Sequence, residues 1–179
     1  MANSAPASTL EVRRLRAVTE AQLQQLADVL IDCVEGGASV SFMQPMTRDK
    51  ALAFWRKVAD GVSRGGRALM VAEDAQGIVG TVQVVLDQPE NQPHRADVSK
   101  MLVHRRARRQ GAGEALMRAA EREASTEGKT LLVLDTADDT AARLYARLGW
   151  QAAGTIPRYA LLPTGGECAT TYFYRSLVD

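Results

Sequence analysis

Cysteine and histidine are scarce in this chain, with two of each among 179 residues. Cys33 and Cys168 stand alone, with neither a Cys-x-x-Cys pair nor metal-ligand spacing around them. His94 and His104 are equally isolated. Free thiols in a reducing compartment are therefore expected, a cytoplasmic location with them, and no metal site. No apolar run reaches the ~18 residues that a membrane span needs, so no membrane partner is expected. Charge of one sign is lacking too. The formal net charge is only +1, which removes the broad basic footprint of a nucleic-acid binder. The opening residues, MANSAPASTLEV, show no charged-then-apolar leader pattern and read as a short disordered tail over 1–9. No internal repeat or interdomain linker interrupts the rest of the chain.

What is present is enough apolar material for one core. Hydrophobic residues make up 46% of the chain, and a length near 180 suits one domain over 10–179. Glu11 to Val18 reads as a first strand. Thr19 then caps a helix, with Gln22 as its capping-box partner. Leu23, Leu26, Ala27, Leu30, Ile31 and Val34 form one helical stripe, which Gly36-Gly37 stops. The linker Ala38 to Met46 is apolar for a loop, so it should lie over something. Thr47 caps a second helix with Ala51, Trp55, Val58 and Val62 inward, and Gly65-Gly66 ends it. Arg67–Glu73 and Ile78–Leu86 read as a hairpin around a turn-rich quartet. Pro89–Pro93 is a polar loop. A short helix carries Ala141, Leu144, Tyr145 and Leu148 on one stripe and ends at Gly149. Gln151–Ile156 and Thr170–Leu177, with a Pro163-Thr164-Gly165-Gly166 turn between them, suit a closing antiparallel hairpin.

The chain is organised around Arg95 to Leu134, which reads as strand, basic turn, helix, strand. In Arg95–Val103, strict alternation puts Ala96, Val98 and Leu102 on one face and Asp97, Ser99, Met101 and Val103 on the other. Arg105, Arg106, Arg108 and Arg109 follow, then Gln110-Gly111-Ala112-Gly113, and a helix runs to Thr126. Glu114 and Arg118 form an i,i+4 pair on its outer side. Leu131–Leu134 is a continuous apolar run, as in a parallel strand covered on both faces. A right-handed crossover sets the helix N-terminus beside the end of the first strand, where free N–H groups and the helix dipole favour a phosphate. The glycines permit close approach, and the arginines add charge-assisted hydrogen bonds. This reads as a pyrophosphate cradle. A solvated basic turn, a nucleic-acid patch and a dinucleotide-binding glycine turn compete with it. The net charge opposes the second. Leu116 in the sixth position, and the lack of a second mononucleotide half, oppose the third.

Arg108-Arg109-Gln110-Gly111-Ala112-Gly113 resembles the [Gln/Arg]-x-x-Gly-x-[Gly/Ala] signature of the GNAT superfamily of acetyl-CoA-dependent N-acetyltransferases. Ala141 to Trp150 (AARLYARLGW) resembles that family's Ala-x-x-Leu-Tyr-x-x-x-Gly-[Phe/Trp] segment, and the two stand in the family's order. Within the superfamily, Gly36 to Met43, Leu134-Asp135-Thr136 and Ile156-Pro157-Arg158-Tyr159 look most like the tabtoxin-resistance type. The resemblance, running from about Val12 to the C-terminus, implies a mixed α/β (α+β) fold. Its sheet is mainly antiparallel, with a central parallel strand–helix–strand unit and helices on both faces. It implies acetyl-CoA as co-substrate, held by the backbone of Met101, Leu102 and Val103 after a strand bulge and by Arg108, Arg109, Gln110, Gly111, Ala112, Gly113 and Glu114. The linker Ala38–Met46 would border the acceptor pocket. His104 departs from the family, which often has proline there.

Acetyl transfer to an amine needs the ammonium deprotonated, donors for the developing oxyanion and an acid for the departing thiolate. The acid–base candidates are Asp97, Asp135 and Tyr145. Asp97 lies on the central strand, where a carboxylate needs a partner, and a salt bridge to Arg95 or Lys100 is the structural alternative. Asp135 ends a buried strand, the usual place for function in such sheets, and helix capping is its alternative role. By periodicity Tyr145 is a core residue; by resemblance it donates to the CoA sulfur. Asp138 stands where relatives often carry an asparagine, but an acid there would repel phosphates. The expectation is an N-acetyltransferase acting on a small cationic amine, amino-acid-like or toxin- or antibiotic-like. Protein or peptide acetylation and a non-catalytic acyl-CoA-binding regulator are the alternatives, and relatives' habits leave a homodimer open.

Overall fold

A computed structural model describes residues 10–178; the disordered tail expected over 1–9 lies outside them. The elements run β1 (Glu11–Leu15), α1 (Glu20–Glu35), α2 (Arg48–Ser63), β2 (Arg67–Asp74), β3 (Gly77–Val85), β4 (Arg95–Val103), α3 (Ala112–Thr126), β5 (Leu131–Thr136), α4 (Asp139–Arg147), β6 (Gln151–Leu161) and β7 (Glu167–Ser176). A 3₁₀ turn, Arg105–Ala107, sits between β4 and α3. The strands form one seven-stranded sheet in the order β1-β2-β3-β4-β5-β7-β6. Every neighbouring pair is antiparallel except β4 with β5. This is the expected mixed architecture, and β1 stops three residues before the sequence pattern suggests.

Two apolar layers cover the sheet. On one face α1 and α2 pack Leu26, Leu30, Trp55 and Val58 against Leu69, Val71 and Leu102. On the other, α3 and α4 pack Leu116, Met117, Ala120 and Tyr145 against Met70, Val82, Val98 and Leu132. The small residues of α3 serve this second layer: Ala112, Ala120 and Ala124 are buried against the strands. Thr19 closes the capping box with Gln22, and Thr47 accepts from the N–H of Lys50, so α1 and α2 begin where their sequences indicate.

The central strand departs from strict alternation. Between the pairs Gln83↔Ser99 and Thr81↔Leu102, β3 advances two residues while β4 advances three. The extra residue is accommodated at Lys100, whose φ is +52°. This β-bulge inverts the alternation beyond it. Leu102 therefore joins the α1/α2 layer, while Ala96 and Val98 face α3. The expectation that the three share a face is corrected, because a period-two pattern cannot register an inserted residue. Past the same point β4 leaves its parallel neighbour. The two strands pair at Arg95↔Leu131, Ala96↔Leu132 and Asp97↔Val133 and nowhere beyond. A cleft opens between the C-terminal halves of β4 and β5.

Candidate active site

One wall of the cleft is the edge of Met101, Leu102 and Val103, which has no strand partner on its β5 side. At its mouth the chain turns sharply, with Arg109 at φ +60° and Gly111 at φ +82°. His104, where the family often has proline, uses the N–H that proline would lack: it donates to the Val79 carbonyl at 2.8 Å. Its ring accepts from the N–H of Arg106 at 3.2 Å.

The N-terminus of α3 differs from those of the other three α-helices. Thr19, Thr47 and Asp138 cap α1, α2 and α4 with their side chains, whereas α3 begins at Gly111 with no side-chain cap. The N–H groups of its first turn are left for another acceptor. A Cβ added at Gly111 would meet nothing within 4 Å, so the approach is open. At Gly113 an added Cβ would stand 3.1 Å from Leu144 Cδ2 and 3.8 Å from Met101 Sδ. Gly113 thus keeps α3, α4 and β4 close together. These features fit a phosphate held by backbone donors at Gly111, Ala112, Gly113 and Glu114.

The arginines behave differently from a phosphate clamp. Arg105 is turned away: its backbone N–H and Nε donate to the Asp32 carboxylate of α1 at 2.8 and 2.7 Å. Burial alone would push the Asp32 carboxyl up. Those two hydrogen bonds, with the charges of His104 and Arg105, outweigh it and hold the pKa below the usual aspartate value. Arg106 pairs with Asp74 of β2, and Arg108 folds back to donate to the Val103 carbonyl at 3.3 Å. Arg109 has no hydrogen-bond or ion-pair partner among the described residues. Arg105, Arg106 and Arg108 therefore brace the turn, and the cradle is mainly backbone. Gln110 contributes likewise, its Nε2 donating to the Arg106 carbonyl at 3.0 Å.

The second wall, β5, carries one of the three acid–base candidates, Asp135. Asp135 sits on β5 opposite Tyr172 of β7, and its Oδ2 accepts from Thr170 Oγ1 at 2.7 Å. It does not cap α4; Asp138 does, accepting from the Ala141 N–H at 2.6 Å. The Asp135 carboxylate keeps its exposure, so it can meet a cation. Tyr172 and Tyr159 join hydroxyls at 2.8 Å beside it. That bond, then burial and the Asp135 charge, pushes the Tyr172 phenol up to about 12.

Asp97 is committed elsewhere. It pairs with Arg95, and Gln88 Nε2 donates to its other oxygen at 3.1 Å. The salt-bridge alternative describes what this carboxylate does, and its charge is already balanced.

Tyr145 is 5% exposed. Its ring packs edge-on against Phe173 at 5.8 Å and tilted against Trp150 at 6.1 Å. Burial first, then the charges of Asp138 and Asp135, raises the phenol well above its ordinary value. The hydroxyl has no hydrogen-bond partner among the described protein groups. A phenol so placed stays protonated and free to donate.

Lys100, at the bulge, is a residue that sequence reasoning misses. Its Nζ donates to Ser41 Oγ at 3.2 Å and lies 5.9 Å from the centroid of the Phe54 ring. The available signal was a lysine between Ser99 and Met101, beyond the Arg95/Asp97 pair of the same strand. Ser41 belongs to the apolar linker, which is fastened to the far hairpin. Ser39 Oγ donates to the Leu161 carbonyl at 3.2 Å, and the Gln44 N–H donates to the Pro163 carbonyl at 2.9 Å. Phe42 packs on Phe54 at 5.2 Å.

The site thus combines a splayed central parallel pair in a seven-stranded mixed sheet with an uncapped helix at the mouth of the splay. Residues 65–152, just under half of the chain, match the acetyltransferase (GNAT) domain family. The fold is shared along nearly the whole chain. An N-acetyltransferase from Staphylococcus aureus superposes with a TM-score of 0.79 at 17% identity, covering 96% of this chain and 100% of that one. A phosphinothricin acetyltransferase from Sinorhizobium meliloti, solved with acetyl-CoA, gives 0.77 at 18% identity, covering 94% and 88%. A ribosomal-protein-alanine N-acetyltransferase from Brucella melitensis gives 0.76 at 22%, covering 93% and 99%. The last two act on unlike acceptors, so the fold alone does not name one.

Proposed function

We propose that this protein is an acetyl-CoA-dependent N-acetyltransferase of the tabtoxin-resistance type, working in the cytoplasm on the amine of a small cationic molecule, amino-acid-like or toxin- or antibiotic-like. The observation that carries the reading is the cleft between β4 and β5, with an uncapped helix N-terminus at its mouth and the exposed carboxylate of Asp135 on β5. The co-substrate supplies an activated acyl thioester. The backbone of Gly111, Ala112, Gly113 and Glu114 would hold its phosphates, with Arg108, Arg109 and Gln110 shaping the turn. The free edge of Met101, Leu102 and Val103 would hold the arm and offer N–H donors to the carbonyl oxygen.

Asp135 draws the acceptor's ammonium into the cleft and takes its proton, directly or through water. Thr170 fixes one carboxylate oxygen by its 2.7 Å hydrogen bond and leaves the other for the amine. Tyr145 donates its phenolic proton to the departing sulfur, and its raised pKa keeps that proton in place until then. Asp97 supports the strand through Arg95 rather than handling a proton. The likeness to the tabtoxin-resistance type at Gly36–Met43 and Ile156–Tyr159 supports a small acceptor.

Thiol release from acetyl-CoA, screened across amines, amino acids and peptides, tests the activity. Asp135→Asn should cut kcat/KM by at least 10²-fold, the usual weight of a positioned base, with acetyl-CoA affinity kept within a few-fold. No thiol release with any amine sinks the reading, and normal kinetics in the variant removes Asp135 from it.

A further inference from the structure

The acceptor side of the cleft holds a cation that the transfer chemistry leaves unused. Lys100 Nζ has one hydrogen-bond partner, the Ser41 hydroxyl at 3.2 Å, and the face of Phe54 beside it. No carboxylate lies within ion-pairing distance among the described residues. An ammonium partly withdrawn from water without an anion carries a cost. The consequence is visible in its acidity: burial, opposed by the Asp135 charge and reinforced by that of Arg67, lowers the lysine pKa. The backbone is also held out of its preferred region at both partners, with φ +52° at Lys100 and +76° at Ser41. Two strained non-glycine residues meeting through their side chains are a costly arrangement that needs a function.

Arg67 lies close enough to repel Lys100 and makes its own hydrogen bond to Gln83 Oε1 at 2.8 Å. Gln83, opposite Ser99 in the ladder, keeps a buried Nε2 with no partner. This part of the site therefore offers donors and positive charge, while the negative charge at the cleft wall is Asp135. The layout is complementary to a zwitterion.

Resting on the acetyltransferase reading, we propose that Lys100, with Ser41, anchors a carboxylate on the acceptor, so that the amine acetylated belongs to an amino acid with a free carboxyl group. The ammonium goes to Asp135 and the carboxylate to Lys100. Asp135 and Lys100 sense each other's charge without forming a salt bridge, so each remains able to meet an opposite charge on the substrate.

The experiment compares free amino acids with their carboxamides in the thiol-release assay, in the parent and in Lys100→Met. Methionine retains an unbranched stem against Phe54 and meets the same backbone strain as lysine, so the change is mainly one of charge. The parent should favour the free acid by about 10- to 100-fold in kcat/KM, the range of a charge-assisted hydrogen bond. Lys100→Met should collapse that ratio toward one, chiefly through the KM of the free acid. Lys100→Arg should restore part of it. Acetyl-CoA affinity by calorimetry reports on the fold of each variant. Equal use of acid and carboxamide by the parent overturns the anchor while leaving the transferase reading standing. An equal loss on both acceptors in Lys100→Met also overturns it and points to a general base. Absence of thiol release with every acceptor overturns both.

Discussion

Tyr145→Phe separates the two roles that a buried tyrosine can have here, because it removes one oxygen and leaves the ring. The edge-on contact with Phe173 at 5.8 Å and the tilted contact with Trp150 at 6.1 Å depend on the ring and survive the change. The hydroxyl has no protein hydrogen bond to lose among the described residues, so the stability change should stay below about 1 kcal/mol. For a chain of this size that is a Tm shift of under about 4 °C. The rate effect should be far larger. A positioned acid contributes roughly 10²–10⁴-fold, or about 3–5 kcal/mol of barrier. Turnover by thiol release should therefore fall at least a hundredfold, while acetyl-CoA affinity by calorimetry stays within a few-fold. The pH dependence adds a second check. The folded phenol has a raised pKa, so the folded state holds its proton more tightly than the unfolded chain. The stability this gives is present below the unfolded value near 10 and is lost as pH rises above it. The phenylalanine variant should lack that alkaline loss. Parent-like turnover in Tyr145→Phe would refute the acid role and return Tyr145 to the core.

Two further perturbations test the turn and its bracing. Gly111→Ala imposes a left-handed φ of +82° on a residue that resists it, at a cost of about 1 kcal/mol, and adds a methyl where an anion must approach. Acetyl-CoA affinity by calorimetry should fall at least tenfold with the fold retained, and an unchanged affinity would remove the helix N-terminus from the site. Asp32→Asn should cost about 1–3 kcal/mol at pH 7 in urea unfolding, since it strands the hydrogen bonds from Arg105. Because the folded Asp32 pKa is lowered, its contribution is present above the unfolded value near 4 and disappears as pH falls through the folded one. The gap between parent and variant should therefore close in acid; a gap independent of pH would mean the carboxylate charge is irrelevant.

The sequence carries the local parts of this structure well and the long-range parts poorly. Thr19 with Gln22, Thr47, and the glycines after α1 and α2 act within a few residues of themselves, so helix ends can be read directly. The strand–turn–helix around Gly111 is legible for the same reason. The bulge at Lys100 is not, because nothing in a period-two pattern marks an inserted residue, and the pattern puts Leu102 in the wrong layer. The arginine run is legible as charge but not as geometry. Arg105 and Arg106 find acids at Asp32 and Asp74, more than thirty residues earlier, and no local rule announces such pairs. Asp97 is the opposite case: its partner Arg95 stands two residues away, and the pairing can be foreseen. Lys100 escapes notice because its significance comes from what it lacks, an acidic neighbour, and only packing shows that.

The fastening of the linker to the far hairpin bears on how this enzyme's selectivity can change over time. Ser39 and Leu161 are 122 positions apart in the chain, and Gln44 and Pro163 are joined in the same way. The fastening of the linker is thus encoded in two distant places. A genetic crossover anywhere between them brings together halves of different parentage, and the carbonyls of Leu161 and Pro163 then meet an untested loop. Exchange of the central strand–turn–helix, which lies wholly between the two, leaves those two fastenings in place but replaces Lys100, the partner of Ser41. The surroundings of the linker must therefore be inherited from β4 and from both ends at once.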